Sequence, residues 1–191
     1  EEAPAGVPAV VVENSRRALA EIAANRFGHP ADSMVMLGVT GTNGKTTTTY
    51  LVKHILEQAG HTVGLIGTNQ NLIGSEVIET ERTTPESYEL QALFARMRDA
   101  GCTHVIMEVS SHSLVLDRVH GIRFAVGAFT NLTQDHLDFH KTMEEYRRAK
   151  ARLFAVSDRG VINLDDPAAG AMLADALCPC LTFSCEKDAA D

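Results

Sequence analysis

With 191 residues, 45% of them hydrophobic, the chain can bury the core of one ordinary domain. Its formal net charge of −8 argues against a general nucleic-acid binder, which needs a basic face, though a local cluster can still hold an anionic small ligand. No apolar run approaches the roughly 20 residues of a membrane span, and the acidic, Pro/Ala-rich start EEAPAGVPAV is not a signal peptide, so a cytoplasmic, non-membrane protein is expected.

The start is expected to be that of a fragment. Residues 10–12 are a short β-branched run. ENSRRALAEIAANRFGHP predicts a helix of about three turns, with Asn14 or Ser15 as N-cap and Gly28 and Pro30 ending it. A strand is predicted at 34–39, a helix at 45–59 and a strand at 62–66. NLIGSEVIETE, with its Gly-Ser turn, predicts a hairpin. A helix follows at 85–100, with Pro85 in its first turn, then strands at 103–109 and 124–130. TMEEYRRAKARLFAV is predicted helical, GVINL a strand, PAAGAMLADAL a helix and CLTFS a last strand. Strands alternating with helices imply an α/β fold, a mostly parallel sheet with helices on both faces. NLDDP at 163–167 reads as a strand end and helix cap without chemistry. The four cysteines form no standard zinc spacing; Cys178-Pro-Cys180 reads as reduced thiols near a strand, a redox pair or half a metal site.

GVTGTNGKTTTTY lies where a βα unit places anion sites, between a strand and a helix N-terminus. Gly41 and Gly44 let the backbone approach an anion. Lys45 can reach β/γ phosphates, and the Thr46 hydroxyl can ligate Mg²⁺. Val39 stands where the standard P-loop has its first glycine, so the pattern is a variant, G-x-x-G-K-T. Glu108 ends an apolar strand, so its carboxylate is expected at the same sheet edge, where it can hold Mg²⁺.

Gly41-Thr42-Asn43-Gly44-Lys45-Thr46-Thr47 resembles the ATP loop of the Mur ligases, ATP-dependent amide ligases of peptidoglycan precursor synthesis. ERTTPES, MEVSSHSLVLDRV and NLTQDHLDFHKTMEEYRRAKARLF resemble, within that family, the ligases that add the third peptide residue to UDP-N-acetylmuramoyl-L-alanyl-D-glutamate. The resemblance implies that Thr83, Thr84, Ser110 and Arg118 contact the uridine-nucleotide substrate. Leu116 stands where some members carry glutamine. Helix capping is the alternative role for the hydroxyls. His136 and His140 have an i, i+4 spacing that could suggest zinc on a helix, but the resemblance makes only His136 a metal ligand. His112 and His120 are expected to be structural.

Lys150 lies four residues after Tyr146 and three before Leu153, so it shares their inward face, while Glu144, Arg147, Arg148 and Arg152 are expected on the exposed one. An inward lysine either snorkels or is chemically changed. Burial disfavours the ammonium, and the neutral amine can add CO2; the resemblance assigns Lys150 this CO2-derived carbamate, an anionic ligand for Mg²⁺. It further implies that ATP phosphorylates the substrate carboxylate and an amine attacks the acyl phosphate. Lys45 and two Mg²⁺ held by Thr46, Glu108, His136 and modified Lys150 would neutralise the charge.

The expected organisation is residues 1–32 as the end of an N-terminal UDP-binding domain and linker, and 33–191 as the central ATP-binding domain. The C-terminal amino-acid-binding domain is absent, so the diamino acid partner, L-lysine or meso-diaminopimelate, stays open. A monomer is expected. Alternatives are a cyanophycin or folylpolyglutamate synthetase of the same fold, which should lack TTPES and EVSSHSL, or a nucleotide-binding fragment without turnover.

Overall fold

The computed structural model describes residues 6–186. Its strands are β1 (Val35–Thr40), β2 (Val63–Ile66), β3 (Asn71–Ile73), β4 (Glu76–Ile78), β5 (His104–Glu108), β6 (Phe124–Phe129), β7 (Ser157–Asn163) and β8 (Cys180–Phe183). They form one sheet in the order β4-β3-β2-β5-β1-β6-β7-β8. Every pairing is parallel except those of β3 with β2 and β4. The β3–β4 pair is the expected hairpin, turning at Gly74 with φ 57°. No strand forms at 10–12, where Val10 and Val11 are exposed.

The helices are α1 (Ser15–Phe27), α2 (Lys45–Gln58), α3 (Ser87–Asp99), α4 (Ser111–Val115), α5 (Leu137–His140), α6 (Met143–Ala155) and α7 (Ala169–Asp175). Asn14 caps α1 by accepting from the Arg16 and Arg17 N–H groups, and Gly28, at φ 72°, ends it. Both short helices, α4 and α5, were absent from the sequence expectation, because four or five residues carry no period.

Strand alternation sorts the core. Met36, Ile66, Val105 and Met107 face α3, whose Leu90, Phe94 and Met97 are wholly buried. Val39, Val63, Leu65 and Ile106 face the other way, onto Tyr50, Val52 and Leu56 of α2. Phe129, Phe154, Ile162 and Met172 extend the packing to α6 and α7. Each such side chain contributes about 1.5–3 kcal/mol. At Gly38 a Cβ would lie 3.1 Å from Leu153 and Phe124. That close approach seats α6 against the sheet and turns Lys150 inward.

Arg147 departs from expectation. It is buried, donating to Glu144, to Asp175 (2.7 Å) and to the Ala171 carbonyl (3.1 Å). Acceptors on α7 satisfy a guanidinium that the α6 pattern alone would leave in solvent.

Candidate nucleotide and metal site

Because β1, β2, β5 and β6 are mutually parallel, their C-terminal ends meet at one edge, where the chemistry-bearing residues collect. The loop after Thr40 turns at Gly41 (φ 145°), where a Cβ would stand 1.9 Å from Thr130 Oγ1. Gly44 (φ 84°) leads into α2 with no side-chain cap, leaving first-turn N–H groups to face an anion.

The segment after β6 braces this loop. Asn131 accepts from the Asn43 N–H at 2.9 Å and donates to its carbonyl at 3.0 Å, while its own carbonyl takes the Thr42 N–H. Thr130 Oγ1 donates to the same Asn43 carbonyl. NLDDP is part of the brace: Asn163 donates to the Thr130 carbonyl and Asp166 accepts from the Leu132 N–H. Sequence reasoning assigned these residues no chemistry, and none is visible without the β6–β7 pairing.

Lys45 folds back, its Nζ donating to the carbonyls of Gly41 (3.0 Å) and Thr42 (2.8 Å). Burial lowers its pKa, opposed by the charges of Glu108 and Asp135. Glu108 is 1% exposed. Its Oε1 accepts from Thr46 Oγ1 at 2.9 Å and from the Thr68 N–H at 3.0 Å; its Oε2 accepts from Thr68 Oγ1 at 3.0 Å. All three donors are neutral, and among the described residues no cationic side chain is hydrogen-bonded to the carboxylate. Thr46 Oγ1 and the Glu108 carboxylate, side by side at the end of the loop, are both oxygen donors of the kind Mg²⁺ takes. Among the described residues no cluster of three or more His, Cys, Asp or Glu side chains could hold a metal.

Lys150, 2% exposed, donates to the Gly41 carbonyl at 2.7 Å and lies 4.3 Å from the Tyr146 ring centroid. Burial first, then the charge of Lys45, lowers its pKa to about 7, with Asp135 opposing. His136, half-exposed, lies against His112 and near Tyr146, with ring centroids 4.9 and 6.1 Å away. His140 points away from a shared site with His136: it is buried with Nε2 2.8 Å from Ser111 Oγ, and burial followed by His112 lowers its pKa to about 4.

The four substrate candidates form the neighbouring wall. Thr84 Oγ1 donates to the Glu108 carbonyl and accepts from the Ser110 N–H, so Thr84 fixes the end of β5. Ser110 caps α4 by accepting from the Ser113 N–H. None of the hydroxyls caps α3, which begins two residues after Pro85 with no side-chain cap. Arg118 bonds the Thr84 carbonyl (3.1 Å) and Glu86 (2.7 Å), and its buried Nε has no partner. Thr83 Oγ1 lies 3.0 Å from Thr68 Oγ1. A groove of about 500 Å³, lined in part by Arg82, Pro85, Glu86 and Tyr88, adjoins this wall. Thr68, which contacts both Glu108 oxygens, was not singled out by the sequence; its only local signal is its place just past a strand end.

Residues 39–191 match the Mur ligase middle domain. The chain is 52% identical over 184 residues to the UDP-N-acetylmuramoyl-L-alanyl-D-glutamate–2,6-diaminopimelate ligase of Clostridium perfringens, covering 94% of this chain and 38% of that protein. It is 50% identical over 186 residues to the like-named ligase of Streptomyces coelicolor, covering 96% and 37%. A solved structure of a UDP-N-acetylmuramoyl-L-alanyl-D-glutamate–2,6-diaminopimelate ligase superposes with a TM-score of 0.87 at 32% identity, over 99% of this chain and 40% of the other. The E. coli FolC structure shares the fold, with a TM-score of 0.64 at 22% identity over 92% and 48%. The chain thus spans under two-fifths of the length of the ligases it resembles. With the phosphate loop, the buried Glu108 and the matched residues in agreement, the chain belongs to the Mur ligase family.

Proposed function

We propose that this chain is the ATP-binding part of the ligase that joins a diamino acid to UDP-N-acetylmuramoyl-L-alanyl-D-glutamate. The names of its relatives favour 2,6-diaminopimelate over L-lysine. The observation that carries the reading is the continuous chain Thr46–Glu108–Thr68–Thr83, which joins the phosphate loop to the wall of substrate candidates.

The loop 41–47 would take the ATP phosphates, with Lys45 leaving its two carbonyls for the β/γ oxygens. Bound Mg²⁺ neutralises phosphate charge in such transfers. Thr46 and Glu108 would hold one ion; His136 and Lys150 would serve a second, Lys150 as its carbamate. A low pKa and near-complete burial support that modification, since the reacting amine must be neutral. Thr83, Thr84, Ser110 and Arg118 would orient the substrate, with Arg118 exchanging Glu86 for a substrate carboxylate.

Residues 1–32 would be the end of the UDP-binding domain and 33–191 the central domain of a cytoplasmic, monomeric enzyme. Among the described residues no helix is long and apolar enough to cross a membrane. The test is Mg-ATP stabilisation: saturating Mg-ATP should raise the melting temperature of this chain, and Lys45→Ala should remove most of the shift. An equal shift in both proteins would overturn the assignment.

A further inference from the structure

We propose that Thr68 is a positioning residue, holding Glu108 in its metal-binding orientation and tying it to Thr83. The inference rests on the reading of Glu108 as a magnesium ligand.

Thr68 stands two residues past β2, the direct parallel neighbour of β5. It grips both carboxylate oxygens, Oε1 through its N–H and Oε2 through its hydroxyl, each at 3.0 Å. Two bonds to two oxygens fix the carboxylate plane as one bond cannot. Glycine precedes it for a reason: a Cβ on Gly67 would lie 2.5 Å from Glu108 Oε1. The backbone therefore passes close enough for the next N–H to reach the same oxygen.

The proton order follows from the donors. An ionised carboxylate only accepts, so the single Thr68 hydroxyl proton goes to Oε2. In the 3.0 Å contact with Thr83, Thr83 must then be the donor. The relay runs Thr83 O–H to Thr68 O–H to Glu108, and the Thr83 oxygen keeps its lone pairs for the cleft. A substrate donor on Thr83 strengthens every bond down this line. Thr68 is itself exposed, on the surface between the two halves of the site.

The test is a Mg²⁺ titration of ATP binding to this chain, comparing wild type with Thr68→Val, Thr68→Ser and Glu108→Gln. Thr68→Val keeps shape and N–H but lacks the hydroxyl. It should raise the Mg²⁺ midpoint by about ten-fold, as loss of a ligand's supporting bond commonly does, and lower the ligand-free melting temperature, because the buried Glu108 Oε2 loses the Thr68 hydroxyl. Thr68→Ser should restore the wild-type midpoint. A Thr68→Val midpoint equal to wild type, with Glu108→Gln shifted, overturns the positioning role alone. Equal midpoints in Glu108→Gln and wild type overturn the magnesium reading and this inference with it. Should Thr68→Val not fold, Thr68→Ala is read the same way.

Discussion

The Lys150 ammonium donates to the Gly41 carbonyl at 2.7 Å, so α6 touches the phosphate loop from 109 residues away. Lys45 shares that carbonyl at 3.0 Å. Two lysines on one acceptor, one of them nearly sealed from water, are a poor place for two positive charges, and Lys150 is the one that yields.

The first prediction follows from that pKa of about 7, against an ordinary value of 10.5. Between these values the unfolded state binds the extra proton, so stability rises with pH across that window. The penalty is fully present below the folded pKa and vanishes above the unfolded one. In CO2-free buffer, the urea midpoint of wild type relative to Lys150→Met should climb from pH 7 to pH 10. Parallel curves for the two proteins would refute the burial argument.

Lys150→Arg keeps a positive charge but should form no carbamate. In the full-length enzyme it should bind ATP nearly normally and lose most of its turnover. Labelled bicarbonate should give a carbamate carbon signal in wild type that the variant lacks. Normal turnover by the variant at ordinary Mg²⁺ rules the modification out as a requirement.

Asn131→Ala removes the amide that both donates to and accepts from Asn43. It should cost about 1–3 kcal/mol of stability and weaken ATP binding together, because the loop loses its brace. Urea unfolding and nucleotide titration check this. Lost stability with unchanged ATP affinity would show that the brace does not shape the phosphate site.

Gly41→Ala should be the most damaging loop substitution. Its Cβ would meet Thr130 Oγ1 at 1.9 Å, at a φ of 145° that L-residues avoid. Mg-ATP should give almost no thermal shift, whereas Gly44→Ala, with open space at its Cβ, should keep part of it. The reverse order would contradict the geometry.

This chain alone should not ligate, since closure around the substrate needs parts that lie in the rest of the longer relatives. Detection of tripeptide product from it, given the dipeptide substrate, ATP and a diamino acid, would sink that expectation.

What the sequence determined by itself was whatever depends on neighbours along the chain. The glycines and Lys45 of the loop, the strand before and the helix after are one local unit, so the glycine-rich strand-to-helix turn was legible. Lys150 was legible too, because the helical period places it beside Tyr146 and Leu153. The tertiary structure alone decided whatever depends on strands placed side by side out of sequence order. Thr68 reaches Glu108 only because β5 inserts between β2 and β1. Asn163 and Asp166 brace the loop only because β7 lies beside β6. Arg147 is buried only because α7 supplies Asp175, and His140 turns to Ser111 rather than to a site shared with His136 because α4 and α5 both pack at that edge. A hydrogen-bond donor carries no mark of its acceptor in the sequence; the partner is chosen when packing brings distant segments within about 3 Å.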